Sequence, residues 1–181
     1  MQKFNDKFTI IFFKILTILF LFISIFIPFA SAITLSSGGM IKTYSPAFSF
    51  IFSGNISSGN MTYKNNKFSI IALIAYLILL VSCIIILFSF ILKNKKISLI
   101  CNISSCALII IESILFLCAH QSVATILSDA LIKGHSDTVA NTVYQNTSLC
   151  FGFYGISIFS FLSLIFNLLT LFFINKKENN I

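Results

Sequence analysis

Four long apolar runs, two polar stretches of about thirty residues each and one short lysine-rich turn set the pattern of this chain. The runs cover residues 15–33, 68–92, 97–119 and 150–174. At about 1.5 Å of rise per residue each is long enough to cross the hydrocarbon core of a bilayer as a helix. The third run is the informative one. At about 100° per residue, Ser98, Cys101, Asn102, Ser105, Glu112, Ser113 and His120 fall within roughly a third of the helix circumference. Lipid cannot satisfy such groups, so this stripe is expected to turn inward against other helices. In the fourth run Gly152, Gly155, Ser163, Asn167 and Thr170 share one face, with Ser160 at its edge, a composition that lets helices approach closely. The pattern predicts an all-α membrane protein, a single domain over residues 1–181 built as an antiparallel four-helix transmembrane bundle.

The stretches between runs carry weaker signals. In residues 34–67, Phe48, Phe50 and Phe52 alternate with Ser49 and Ile51, and Asn60–Lys64 forms a second extended run. Gly54, Asn55 and Gly59 lie between them, so a small β-hairpin is expected in this first outer loop. In the second outer loop, residues 120–149, Val123, Ile126, Leu127, Ala130 and Leu131 recur at helical spacing before Gly134. This predicts a short amphipathic helix over Ser122–Lys133. Pro28 falls inside the first run, where neighbouring helices can re-satisfy a freed carbonyl. A second reading of the same segment is a cleaved signal peptide: a basic lead, an apolar core over Ile15–Ile27 and Ala30-Ser31-Ala32 as the cleavage site.

Composition supports the membrane class: 57% of residues are hydrophobic, only 9% are charged, and mean hydropathy is +1.01. All 12 basic residues are lysines, and the net charge of +7 is spread along the chain, with no soluble basic module to serve nucleic acid. The lysines also suggest an orientation. Lys3, Lys7, Lys14, Lys93, Lys95, Lys96, Lys176 and Lys177 fall on one side and Lys42, Lys64, Lys67 and Lys133 on the other. The positive-inside rule then predicts a multi-pass plasma-membrane protein with both termini cytoplasmic.

Glu112 is the sharpest candidate for chemistry. It lies about 10 Å inside its run, where an ionisable group is by default a proton- or cation-coupling site. The competing reading is a protonated acid hydrogen-bonded to a neighbouring helix, and no second charged residue shares its depth. Asn102, Ser105, His120 and Asn167 complete the expected buried polar network. A Glu112-to-His120 relay would have to bridge about 12 Å. Lys14, at the other end, is expected to snorkel outward. Cys118 and Cys150 flank the second loop at one interface, where a disulfide is permitted, although Cys118 points away from the polar stripe. Neither the five cysteines nor His135 with Asp129 and Asp137 match a recognisable metal spacing, and no cofactor motif is present. The sequons at Asn55, Asn60 and Asn146 fall in the outer loops, while a fourth, at Asn102, lies within a span. Catalytic motifs and carboxylate pairs within one span are missing, so no enzymatic activity is expected.

Four spans, a hairpin-bearing first outer loop, a very short lysine-rich inner turn and a second outer loop together resemble the claudin and peripheral-myelin type of tetraspan protein. The likeness is architectural over the whole chain. The family's first-loop motif of one tryptophan and two cysteines has no counterpart in residues 34–67, so no site residue is transferred. Two functions are compatible with these features. One is a non-enzymatic scaffold that meets the bilayer, other membrane proteins or further copies of itself. The other is a small oligomeric proton- or cation-coupled transporter or channel that uses Glu112.

Overall fold

The first helix, α1 (Gln2–Phe26), begins earlier and ends sooner than the apolar run alone predicts. The basic lead is already helical in this computed structural model, which describes residues 2–37, 40–92, 94–131 and 145–178. Pro28 does not ride inside the helix. It sits in the first turn of a 3-10 helix, Ile27–Phe29, whose exit swings the chain into extended conformation at Ala30. Proline has no N–H to donate and fixes its own φ, so it ends α1 where a longer span to residue 33 was expected.

From there the chain builds a cap. Strands β1 (Ile33–Ser37) and β2 (Met40–Tyr44) form an antiparallel hairpin. A four-residue helix, α2 (Phe48–Ile51), follows, and then a second hairpin of β3 (Gly54–Ser58) and β4 (Met61–Asn65). A hairpin is present, as expected, but its first strand is shifted. The Phe48–Phe52 alternation is one helical turn, not a strand. The turn buries Ser49, Phe50 and Ile51 together, which a strand of alternating faces could not do. Asn65 locks it, donating to the Ser49 carbonyl at 3.0 Å and the Lys67 carbonyl at 2.8 Å. Gly59, at φ +56°, makes the tight turn between β3 and β4.

Helices α3 (Ile70–Ile91) and α4 (Lys95–Cys118) are N-capped by Ser69 and Asn94, whose side chains accept from Ala72 and Lys96 amides. Helix α5 (His120–Leu131) matches the expected amphipathic segment and buries Val123, Ile126 and Leu127. Gly134, Lys133, His135 and Asp137 lie outside the described residues. Strand β5 (Thr147–Leu149), not foreseen, pairs antiparallel with β1, giving a sheet of order β2-β1-β5. The last helix is α6 (Phe151–Glu178).

Four of these helices, at Phe8–Phe29, Ile70–Ile91, Lys96–Cys118 and Phe151–Asn175, are long and apolar enough to cross a membrane. They pack in up-down order, α1 against α6 and α3 against α4, with α4 on α6 and α1 on α3 closing the bundle. Their outward faces are Ile, Leu and Phe, such as Ile11, Phe22, Ile84, Ile103, Ile114, Ile158 and Phe172. Such a surface suits acyl chains, not water. Phe13 and Phe20 of α1 stack on Phe166 of α6 at centroid distances of 6.0 and 5.5 Å.

Gly152 is where the cap meets the bundle. A Cβ there would sit 2.5 Å from the Ser31 carbonyl and 2.7 Å from the Ala47 Cβ, both on or next to rigid backbone. Gly152→Ala is therefore expected to cost about 1–3 kcal/mol through overpacking. Gly59→Ala meets no atom within 4 Å but must hold a left-handed φ, which costs about 1 kcal/mol. Thermal unfolding of purified protein in detergent should rank Gly152→Ala as the more damaging. The reverse order would show that the contact of Gly152 with Ser31 and Ala47 yields without cost.

Candidate functional site

The inward stripe of α4 and the small-residue face of α6 meet along the bundle axis. Ser98, Asn102, Ser105 and Glu112 are all buried, as are Ser160, Ser163, Asn167 and Thr170 on α6 and Thr17 and Ser24 on α1. Because each helix turns 3.6 residues per revolution, their hydroxyls and amides stack into one seam.

At the middle of the seam the structure unites three of the expected residues. The Asn167 amide donates to the Asn102 carbonyl at 3.0 Å and to the Ser105 hydroxyl at 2.7 Å. Asn102 in turn donates to the Ser98 carbonyl at 2.8 Å, and Ser105 to the Asn102 carbonyl at 2.8 Å. Across the α1–α6 contact, Ser163 donates to the Thr17 carbonyl at 3.1 Å. Tyr76 of α3 donates to the Ile25 carbonyl at 3.1 Å.

At the end of the bundle where α1 begins, Lys14 does not simply snorkel. Its ammonium reaches the Ser89 carbonyl at 3.0 Å, the Ser89 hydroxyl at 3.2 Å and the Ser98 hydroxyl at 3.0 Å. Three helices are thereby tied at one point. In place of the expected snorkelling, two serines that face each other across the α3–α4 turn offer the ammonium acceptors. A lysine placed two turns inside the apolar segment of α1 was the available signal.

Glu112 is completely buried, and neither carboxyl oxygen has a hydrogen-bond partner among the described residues. Asn102 Oδ1 is the other buried side-chain oxygen without a partner there. The Ser160 hydroxyl faces Glu112 across the α4–α6 contact. One turn to either side on the same face of α4 lie Ile109 and Phe116, both with no exposed surface. Phe116 packs against Phe153 at a centroid distance of 6.3 Å. Apolar side chains thus flank Glu112 above and below on its own helix.

His120 lies two turns further along, past Phe116. It stands at the head of α5, with its Nε2 3.1 Å from the Thr147 hydroxyl of β5. Partial burial lowers its pKa below the ordinary imidazole value of 6.5, opposed by the Thr147 contact. The bridge permitted between Cys118 and Cys150 is not formed, and both thiols are free. Cys118 is on the exposed face of α4, whereas Cys150 is half-buried with its N–H held by the Ala32 carbonyl at 2.7 Å. Among the described residues no three His, Cys, Asp or Glu side chains are placed to hold a metal ion. The sequon asparagines Asn55, Asn60 and Asn146 are exposed on the cap, and Asn102 is buried in the seam.

Comparison with known proteins adds no assignment: no protein-family model, curated protein or solved structure matches the chain.

Two outcomes follow. Asn167→Leu removes both bonds to α4 and should lower stability by about 1–2 kcal/mol, readable as a drop in the detergent melting temperature. For His120, the folded cap disfavours the charged form, so its stabilising share is whole above pH 6.5 and falls as pH drops below that value through the folded pKa. Protection factors of the β5 amides should decline on acidification to about pH 5, and His120→Gln should flatten that decline.

Proposed function

We propose that this chain is a non-enzymatic, four-span integral membrane protein of the plasma membrane, a scaffold whose cap meets other proteins. The observation that carries the reading is how the buried polar groups are used. Asn167 reaches from α6 to the Asn102 carbonyl and the Ser105 hydroxyl of α4, Ser163 from α6 to α1, and Lys14 from α1 to α3 and α4, so they act as glue for a dry bundle. A conducting path would need polar groups turned toward a continuous opening, and Ile109 and Phe116 interrupt the seam on both sides of Glu112. The eight-to-four lysine distribution supports cytoplasmic termini and an outward cap. The first-loop hairpins are in keeping with the likeness to claudin and peripheral-myelin type tetraspans, which rests on architecture alone.

A second reading is supported by one specific observation, the unpartnered carboxyl of Glu112. In it the chain assembles into an oligomeric proton- or cation-coupled carrier and Glu112 exchanges its proton. Purified protein in liposomes decides between the two. The scaffold reading expects no proton flux above empty liposomes, and an Glu112→Gln variant that folds and inserts like the native chain. A flux that Glu112→Gln abolishes while leaving folding intact would replace the scaffold with the carrier.

A further inference from the structure

Among the described residues the two hairpins of the cap share one backbone bridge. Ser45 and Ser57 exchange both backbone hydrogen bonds, N–H to carbonyl at 3.0 and 2.8 Å. Beyond that bridge β2 runs on while the other hairpin turns away at Gly59. The register fixes what β2 leaves open. Tyr44, Lys42 and Met40 lie opposite Ile33, Leu35 and Ser37, and Ser45 faces the second hairpin. Backbone groups alternate sides along a strand, so the N–H and C=O of Thr43 and Ile41 point the same way as those of Ser45. Among the described residues nothing pairs with them.

This open edge borders a cleft of about 430 Å³ between the hairpins, lined by Ile41, Lys42 and Thr43 on one side and by Ser58, Met61 and Tyr63 on the other. A second hollow of about 290 Å³ shares Lys42 and Tyr63 with it. Around the rim Met40, Ile41 and Met61 are 69%, 73% and 59% exposed, large apolar side chains on a cap that has no lipid role in the scaffold reading. Nearby charge is one-sided: Lys42 and Lys64 are exposed, and Asp129, the described acid of the cap, is already paired with Lys67 at 2.6 Å.

We infer that the β2 edge receives an extended segment of a partner protein, one that alternates apolar and acidic residues and adds as a strand beside Ile41–Thr43. The open amides and carbonyls give it backbone pairing, Ile41 meets its apolar side chains on one face of the strand, and Lys42, on the other face, takes a carboxylate. Charge excludes the symmetric alternative centred on Lys42. A second copy pairing β2 to β2 would set Lys42 opposite Lys42, and like charges directly opposed in a sheet repel. The inference deepens the scaffold reading by naming the chemistry of the partner.

The test uses full-length protein in nanodiscs and a fluorescent, end-blocked pentapeptide, Val-Glu-Val-Glu-Val, followed by anisotropy. Saturable binding is expected. It should weaken at least tenfold for the Val-Lys-Val-Lys-Val peptide, for the first peptide with every amide N-methylated, and for Lys42→Glu. Lys42→Glu should in turn bind the lysine peptide. Ile41→Pro, which deletes one edge N–H, should also abolish binding, and the N-methylated peptide provides the same information on the native chain if that variant misfolds. Equal binding of the N-methylated peptide, or absence of binding by the glutamate peptide, overturns the inference. So does retention by anionic lipid vesicles in place of peptide, or a dimer that forms without peptide and is lost in Ile41→Pro. If edge-disabled protein still captures partners from its own membrane, this inference fails and the scaffold reading stands.

Discussion

Hydrocarbon offers no hydrogen bonds, and the interior of this bundle is arranged around that condition. Serine and threonine can satisfy themselves on a carbonyl of their own helix, as Thr17, Ser24 and Thr170 do, but the longer asparagine and lysine side chains draw partners from other helices. The Asn167 side chain is the clearest response. It reaches across to two acceptors on α4, one a backbone carbonyl that would otherwise serve only its own helix. Lys14 does the same at the end of the bundle, holding α3 and α4 at their turn. Aliphatic packing alone distinguishes poorly between rotated arrangements of apolar helices in lipid. Directional bonds of this kind fix rotation and register.

Glu112 shows the same condition from its costly side. It occupies a compartment between Ile109 and Phe116, with the Ser160 hydroxyl before it. A carboxyl group without partners is among the most expensive groups to bury. The apolar flanks matter as much as the acid. They separate it from His120 and the cap on one side and from the asparagine cluster on the other.

The bundle was legible in the sequence because a helix in lipid sorts residues by angle. Ser98, Asn102, Ser105 and Glu112 declared one face of α4, and Asn167 and Ser163 one face of α6, from spacing alone. What spacing could not supply was depth and direction of reach, which is why Lys14 was read as leaving the bundle. The cap was harder to read. Phe48, Phe50 and Phe52 alternate like a strand, yet the buried acceptor needed by Asn65 curls them into a turn. Ile33 and Leu35 belong to the first hairpin, hidden by their position at the end of an apolar run. Strand β5 is three residues long, and only its partner 114 residues away makes it a strand. Local pattern carries no trace of such pairing.

That long-range pairing has a bearing on how the chain is made. The amides of Cys150 and Gly152 bond to the carbonyls of Ala32 and Ser31, so the start of the final span is stitched to the exit of the opening one. Synthesis delivers these segments at opposite ends of translation. Until α6 emerges from the ribosome, Thr17 and Ser24 of α1 lack their companions, and β1 lacks its third strand. The first sheet of the cap and the α1–α6 contact are therefore completed only once α6 has been made.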